Sequence, residues 1–229
     1  MADYGEYIGI FSIDHLIYIF GLIVVAAAFF SNTSRVKDRR RTITVVILIV
    51  ILLQQLLLYG SYYFIVGDET GFDASVSLPL HISRINSLLG ILYLLTRNAA
   101  VFRVLALFAL FAWLSFLYPS QVYGVTHPIG ISFFINHVVT LLLPFYGMVA
   151  YGKEIKTGDS LKVLPWFVVY LAVAYVTNML TGGNYFYLQD RPVFEGISDA
   201  AYIAASILFA YVLFKAGELM YRKVRPLLD

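Results

Sequence analysis

Seven runs of mostly apolar residues, each long enough to cross a bilayer, constrain this chain more than any other feature. A helical crossing takes about 20 such residues. The runs fall at 13–31, 43–66, 79–96, 100–118, 128–150, 163–181 and 199–217, with short polar or charged breaks between them. Lipid offers no partner for a backbone N–H or C=O, so only helices and closed barrels span it. No run alternates as a barrel strand does. The sequence therefore predicts an all-α, polytopic membrane protein: a seven-transmembrane-helix bundle forming a single domain over residues 1–229. Composition agrees, since 60% hydrophobic and 13% charged residues with a mean hydropathy of +0.80 exclude a soluble domain of this size.

Charge sets the expected orientation. Fourteen of the sixteen Lys and Arg residues follow the first, third, fifth and seventh runs, as in Arg35, Lys37, Arg39, Arg40 and Arg41. The opposite segments hold Asp3, Glu6, Asp14, Asp68, Glu69, Asp73, Asp190, Glu195 and Asp199. By the positive-inside rule the N-terminus lies outside and the C-terminus in the cytoplasm, across a plasma membrane. The basic residues are sufficiently explained as topology signals, and nucleic acid is not among the expected partners; membrane lipids are. Residues 1–12 lack the basic start of a cleaved secretory signal.

The third run is the least like a passive span. It opens Leu78-Pro79-Leu80-His81-Ile82-Ser83-Arg84-Ile85-Asn86. At about 100° per residue, with His81 at zero, Asn86, Ser83, Ser87 and Arg84 occupy a wide arc from about 140° to 300°. Ile82, Ile85 and Leu89 are left as a narrow lipid stripe. Pro79 suits the first turn of the helix. A charged side chain in lipid costs about 2.5–3.5 kcal/mol near the bilayer centre, so the polar arc is expected to face the bundle interior. Snorkelling, or pairing with an outer carboxylate, is the alternative for Arg84.

In the fifth run Ser132, Asn136 and Thr140 recur at i, i+4 and i+8 with His137 beside them, and Pro144 bends or breaks the helix a turn later. Nine residues after Pro128, His137 lies about 13 Å below the mouth, near mid-membrane. An ionisable group there is a functional candidate; a neutral histidine bonded between helices is the alternative. Asp14 reads as a helix N-terminal charge, His15 as an interfacial residue or part of a site, and His127 as a loop histidine. Gln54 and Gln55 offer interhelical hydrogen bonds or a polar cavity wall. Trp113 and Tyr118 read as an aromatic belt on a scaffold helix. After the sixth run, Gly182 and Gly183 permit a tight backbone that turns Asn184 over the bundle or simply caps the helix. No His-x-x-x-His pair exists among His15, His81, His127 and His137, so neither a metal nor another cofactor is expected.

Phe11-Ser12-Ile13-Asp14-His15-Leu16, Leu78-Pro79-Leu80-His81, His137 and Gly183-Asn184-Tyr185 together resemble, in order and spacing along nearly the whole chain, the bacterial YwaF-type integral membrane proteins, related to animal transmembrane protein 164. The resemblance implies acyl transfer onto a lyso ether phospholipid, with a cysteine nucleophile near the third-run motif. This chain has no cysteine, and Ser83 stands where bacterial relatives often carry one. An alcohol serves as acyl acceptor only when a base takes its proton and donors hold the oxyanion. The expected function is an intramembrane phospholipid acyltransferase or lipid hydrolase, its pocket open to the outer half of the membrane. Ser83 is the candidate nucleophile and His137 or His81 the base; His15, Arg84, Asn86, Asn136 and Asn184 are candidates for substrate binding. Non-catalytic binding or transport of a lipid or small solute is the competing expectation.

Overall fold

Helices account for nearly all regular structure in the computed structural model, which describes residues 3–66, 72–191 and 196–228; Asp68, Glu69 and Glu195 lie outside the described residues. They are α1 (Ile13–Phe30), α2 (Thr33–Asp38), α3 (Arg40–Ser61), α4 (Ile82–Thr96), α5 (Ala99–Phe108), α6 (Leu110–Leu117), α7 (Pro128–Tyr151), α8 (Asp159–Thr181) and α9 (Asp199–Val224). A single antiparallel bridge, Tyr7 to Tyr123, is the only strand-like pairing among the described residues. Six segments are long and apolar enough to cross a membrane, with α5 and α6 counted as one. The chain is a membrane protein built of spanning helices.

Local chemistry accounts for most helix ends. The Ser12 hydroxyl accepts from the His15 amide at the start of α1, Asn98 Oδ1 accepts from Ala100 and Val101 before α5, and Ser198 accepts from Ala201 before α9. His127 Nδ1 caps α7 by accepting from the Ile129 amide, with Pro128 in the first turn. α7 runs unbroken through Pro144, so that proline costs a backbone hydrogen bond without ending the helix.

Four elements differ from the sequence reading. The basic stretch after α1 is not all loop: α2 forms there and buries Val36. The end of α3 widens into a π turn, Tyr62–Val66. The fourth run is interrupted at Ala109, between α5 and α6. α4 starts at Ile82 rather than in the first turn around Pro79, because residues 74–81 form turns instead. Its 15 residues span about 22 Å, short of the roughly 30 Å of a hydrocarbon core. The lipid stripe moves too: Leu88, Leu92 and Leu95 are exposed on α4, whereas Ile82, Ile85 and Leu89 pack against the core.

α7 lies at the centre, buried along most of its length. Small residues let its neighbours approach. A Cβ on Gly147 would meet Phe102 and Tyr93, and one on Gly130 would lie 2.1 Å from the Gly124 carbonyl and 2.7 Å from that of Tyr123. α5, α6, α8 and α9 meet around stacked and edge-on rings, among them Phe111 on Phe167 at 5.3 Å and Phe108 on Phe214 at 5.8 Å.

Gly130→Ala forces a methyl into fixed backbone and is expected to cost about 1–3 kcal/mol. Gly60→Ala, in a helix with nothing within 4 Å of the new Cβ, is expected to stabilise by about 0.5–1 kcal/mol. Thermal unfolding of the two purified variants checks the pair; equal melting temperatures would contradict the close approach at Gly130.

Candidate functional site

Residues 73–78, ahead of α4, are held from two sides, and their fixing shapes the site. Asp73 folds them locally, its carboxylate accepting from the Ser75 amide and hydroxyl at 2.8 Å each. From the far side comes Tyr185, on the short turn after α8. Its hydroxyl accepts from the Leu78 amide at 2.9 Å and donates to the Ala74 carbonyl at 2.7 Å. The Asn178 side chain brackets the backbone of Tyr185, accepting from its N–H and donating to its C=O. Gly183 packs so tightly there that a Cβ would lie 2.5 Å from the Ser75 carbonyl.

Arg84 closes the loop from below. Its Nη1 donates to the carbonyls of Val76 at 2.7 Å and Leu78 at 2.9 Å, and its Nη2 donates to the Tyr62 hydroxyl at 2.5 Å. The guanidinium also lies over the Tyr62 ring, 4.9 Å from its centroid. Arg84 is buried, and among the described residues no carboxylate lies within ion-pair distance of it. It does not snorkel, and among the described residues it pairs with no acid. Of its five N–H donors, Nε–H and one Nη2–H make no bond among the described residues.

Below and beside this clamp is a partly open cavity of about 710 Å³, within the range of small-molecule and lipid sites. His81, Ser83, Arg84, Asn136, His137 and Asn184 all line it. The fifth run's polar face forms part of its wall: Ser132 accepts from Gln54 Nε2 at 2.7 Å, and Asn136 Oδ1 accepts from the Ser87 hydroxyl at 2.5 Å. His137 Nδ1 lies 2.8 Å from the Phe133 carbonyl. Because a carbonyl only accepts, Nδ1 carries the proton and Nε2 is left as an acceptor, the form a general base requires. Among the described residues the Ser83 hydroxyl makes no hydrogen bond, its carbonyl alone accepting from Ser87, and the His81 ring packs edge-on against Tyr185 at 5.0 Å. Phe111, Leu114, Ala205 and Phe209 complete a largely apolar wall from α6 and α9. At the rim, burial and a hydrogen bond with Tyr7 push the Tyr123 hydroxyl up to about 12, so it acts there as a neutral donor.

Two expected site residues lie outside the lining. His15 is buried with both nitrogens engaged, Nδ1 accepting from the Phe11 amide at 2.9 Å and Nε2 donating to the Phe116 carbonyl at 2.6 Å. It fastens the start of α1 to the end of α6. Asn86 is buried on α4 with neither side-chain polar atom hydrogen-bonded. Asn184 reaches the cavity but spends its amide on its own loop, accepting from Gln189 and Asp190 and donating to the Asp190 carbonyl. Asp14 does more than favour a helix dipole, since Oδ1 accepts from the Val125 amide at 3.0 Å. His127 stacks on Tyr123 at 4.1 Å. Tyr62, Tyr185 and Gln54 carry more of the site than their positions in the sequence suggest. Among the described residues, no group of three His, Asp or Glu side chains is arranged to hold a metal ion.

The model of the TMEM164 family covers residues 10–216. No curated protein and no solved structure matches the chain.

Tyr185→Phe leaves the Leu78 amide and the Ala74 carbonyl without their partner, at an expected cost of about 1–3 kcal/mol. Hydrogen exchange read by mass spectrometry should show faster exchange across residues 74–78, with helix α1 unchanged. Unaltered exchange at Leu78 would remove Tyr185 from its role as the clasp.

Proposed function

The chain belongs to the TMEM164 family, and we propose that it is an intramembrane phospholipid acyltransferase or lipid hydrolase of the bacterial plasma membrane. What supports this reading is one observation: a buried guanidinium with two donors, a hydroxyl and a histidine acceptor nitrogen that are unbonded among the described residues all line the same cavity. Arg84 meets the headgroup phosphate through Nε–H and Nη2–H, while acyl carbons lie along Phe111, Leu114 and Phe209. Asn136 Nδ2, which makes no bond among the described residues, faces the ester.

In the reaction, Ser83 Oγ bonds the ester carbonyl carbon as His137 Nε2, or the His81 ring, takes the hydroxyl proton. The ester C–O bond breaks, and the lysophospholipid leaves as an alcohol carrying that proton. An acceptor hydroxyl, or water, then opens the acyl-serine; its proton passes through the same nitrogen and returns to Ser83. In this reading α4 and its preceding turns complete a seventh crossing, and the cavity faces the outer half of the membrane. The basic residues gather at the other ends of the same helices, as the positive-inside rule requires of a cytoplasmic face.

A second reading, non-catalytic binding of a lipid or small solute, is favoured by one specific observation: Ser83 is hydrogen-bonded to neither histidine. Lipid mass spectrometry on the purified protein, incubated with mixed phospholipids and lysophospholipids, separates the two. The enzyme reading expects acyl-shifted or deacylated lipids, with Ser83→Ala and His137→Ala each losing about 10²–10⁴ in turnover. Co-purified lipid left chemically unchanged establishes binding instead. Arg84→Lys should weaken lipid retention in either case, because an ammonium cannot present the guanidinium's fork.

A further inference from the structure

A second cavity, of about 530 Å³, lies at the opposite end of α3, α4 and α7 from the first. Its walls carry Lys37, Arg40, Arg41, Arg97 and Arg225, together with the last turn of α7 from Met148 to Gly152. No Asp or Glu is among its lining residues. These cations come from three separate segments of the chain. Topology alone asks only that positive residues lie on one face. It does not ask that five of them surround one hollow.

Three contacts that commonly satisfy such residues are missing or insufficient. Among the described residues, Lys37, Arg40, Arg41 and Arg97 form no ion pair. Among the described residues, the only side-chain hydrogen bond these four make is from Arg97 Nε to the Leu94 carbonyl, 3.0 Å away, so none of the four caps the α7 carbonyls. The C-terminal end of α7 contributes roughly half a negative charge, a small offset against several positive ones.

Arg97 is also held in place before any ligand arrives. It sits at φ 56°, ψ 20°, the left-handed position at a helix end where glycine is the ordinary choice. Its guanidinium lies over the Tyr151 ring at 3.8 Å. The Tyr151 hydroxyl in turn lies 2.6 Å from that of Thr44, whose hydroxyl donates to the Arg40 carbonyl. The backbones of α3, α4 and α7 are thereby fixed around the cavity. A positive-φ arginine positioned over an aromatic ring is pre-organised for an anion.

We propose that this cavity binds a phosphomonoester or diphosphate group, carried by a lipid headgroup or by a soluble molecule. A phosphomonoester brings about −1.5 to −2 charge at neutral pH and three acceptor oxygens. That matches a cavity lined by several cations and no acid better than a singly charged diester does. The site is independent of the reading proposed for the first cavity.

The test uses the full chain in nanodiscs at constant ionic strength, with unfolding temperature as readout. In phosphatidylcholine discs, added pyrophosphate probes a soluble anion; discs containing phosphatidic acid, compared with phosphatidylglycerol, probe a lipid monoester. A saturable rise in either arm supports the site and identifies its source. Arg40→Gln with Arg97→Gln should weaken that response by at least about tenfold, the loss expected for one charge-assisted hydrogen bond. Arg222→Gln with Lys223→Gln, which removes equal charge from the same end outside the cavity, should leave it unchanged. If the first pair does not fold, Arg97→Lys keeps the charge and should still weaken binding. No saturable response in either arm overturns the proposal. So does an equal loss in the Arg222 and Lys223 pair, which would mean diffuse attraction only.

Discussion

The burial of Arg84, with no carboxylate beside it among the described residues, is the constraint on which the first cavity depends. A guanidinium taken out of water loses several kcal/mol of hydration, which only well-aimed partners restore. Here the partners are two carbonyls of the preceding turns and one tyrosine hydroxyl. Removing the side chain would therefore unfasten residues 76–78 as well as delete a charge. Carbonyl dipoles also stabilise the cation without cancelling it. An acid in their place would have neutralised the cavity; dipoles leave it attractive to an anion.

Much of the fold was legible because its causes are local. Ile13, Pro128 and Asp199 begin helices where the apolar runs and their capping residues placed them. The features that escaped have tertiary causes. The turns before Ile82 replace a helical start because Tyr185 and Arg84, distant in the chain, claim the backbone groups a helix would have used. The exposed stripe of α4 runs along Leu88, Leu92 and Leu95, while Arg84, at a neighbouring angle, is covered by the folded-back turns. An angular projection sees a helix face but not what a loop lays over it.

The same division runs through the site. The third and fifth runs were singled out for polar residues at membrane depth, and both supply the cavity wall. Which side chains still have bonding capacity is a different question. His15 and His137 look alike in a sequence, yet His15 has spent both nitrogens on Phe11 and Phe116, whereas His137 keeps Nε2 open. Asn184 and Asn136 differ in the same way, one committed to its loop and the other retaining a free amide nitrogen. Only a count of bonds formed across the whole fold distinguishes a fastening from a binding group.

That count also says how the cavity can change shape. Hydrogen bonds join α3 to α7 through Gln54 and Ser132, and α4 to α7 through Ser87 and Asn136. The wall formed by α6 and α9 is different, because among the described residues no side-chain hydrogen bond joins those two helices. Phe111 and Phe209 meet there through ring contact alone, at 6.3 Å. Parting the polar wall would strand buried donors and acceptors, each costing about 1–3 kcal/mol. Parting the aromatic wall gives up dispersion contacts alone, which any apolar group placed there restores. If the cavity takes a lipid, as proposed above, its acyl chain gains access more cheaply between α6 and α9 than through the polar wall.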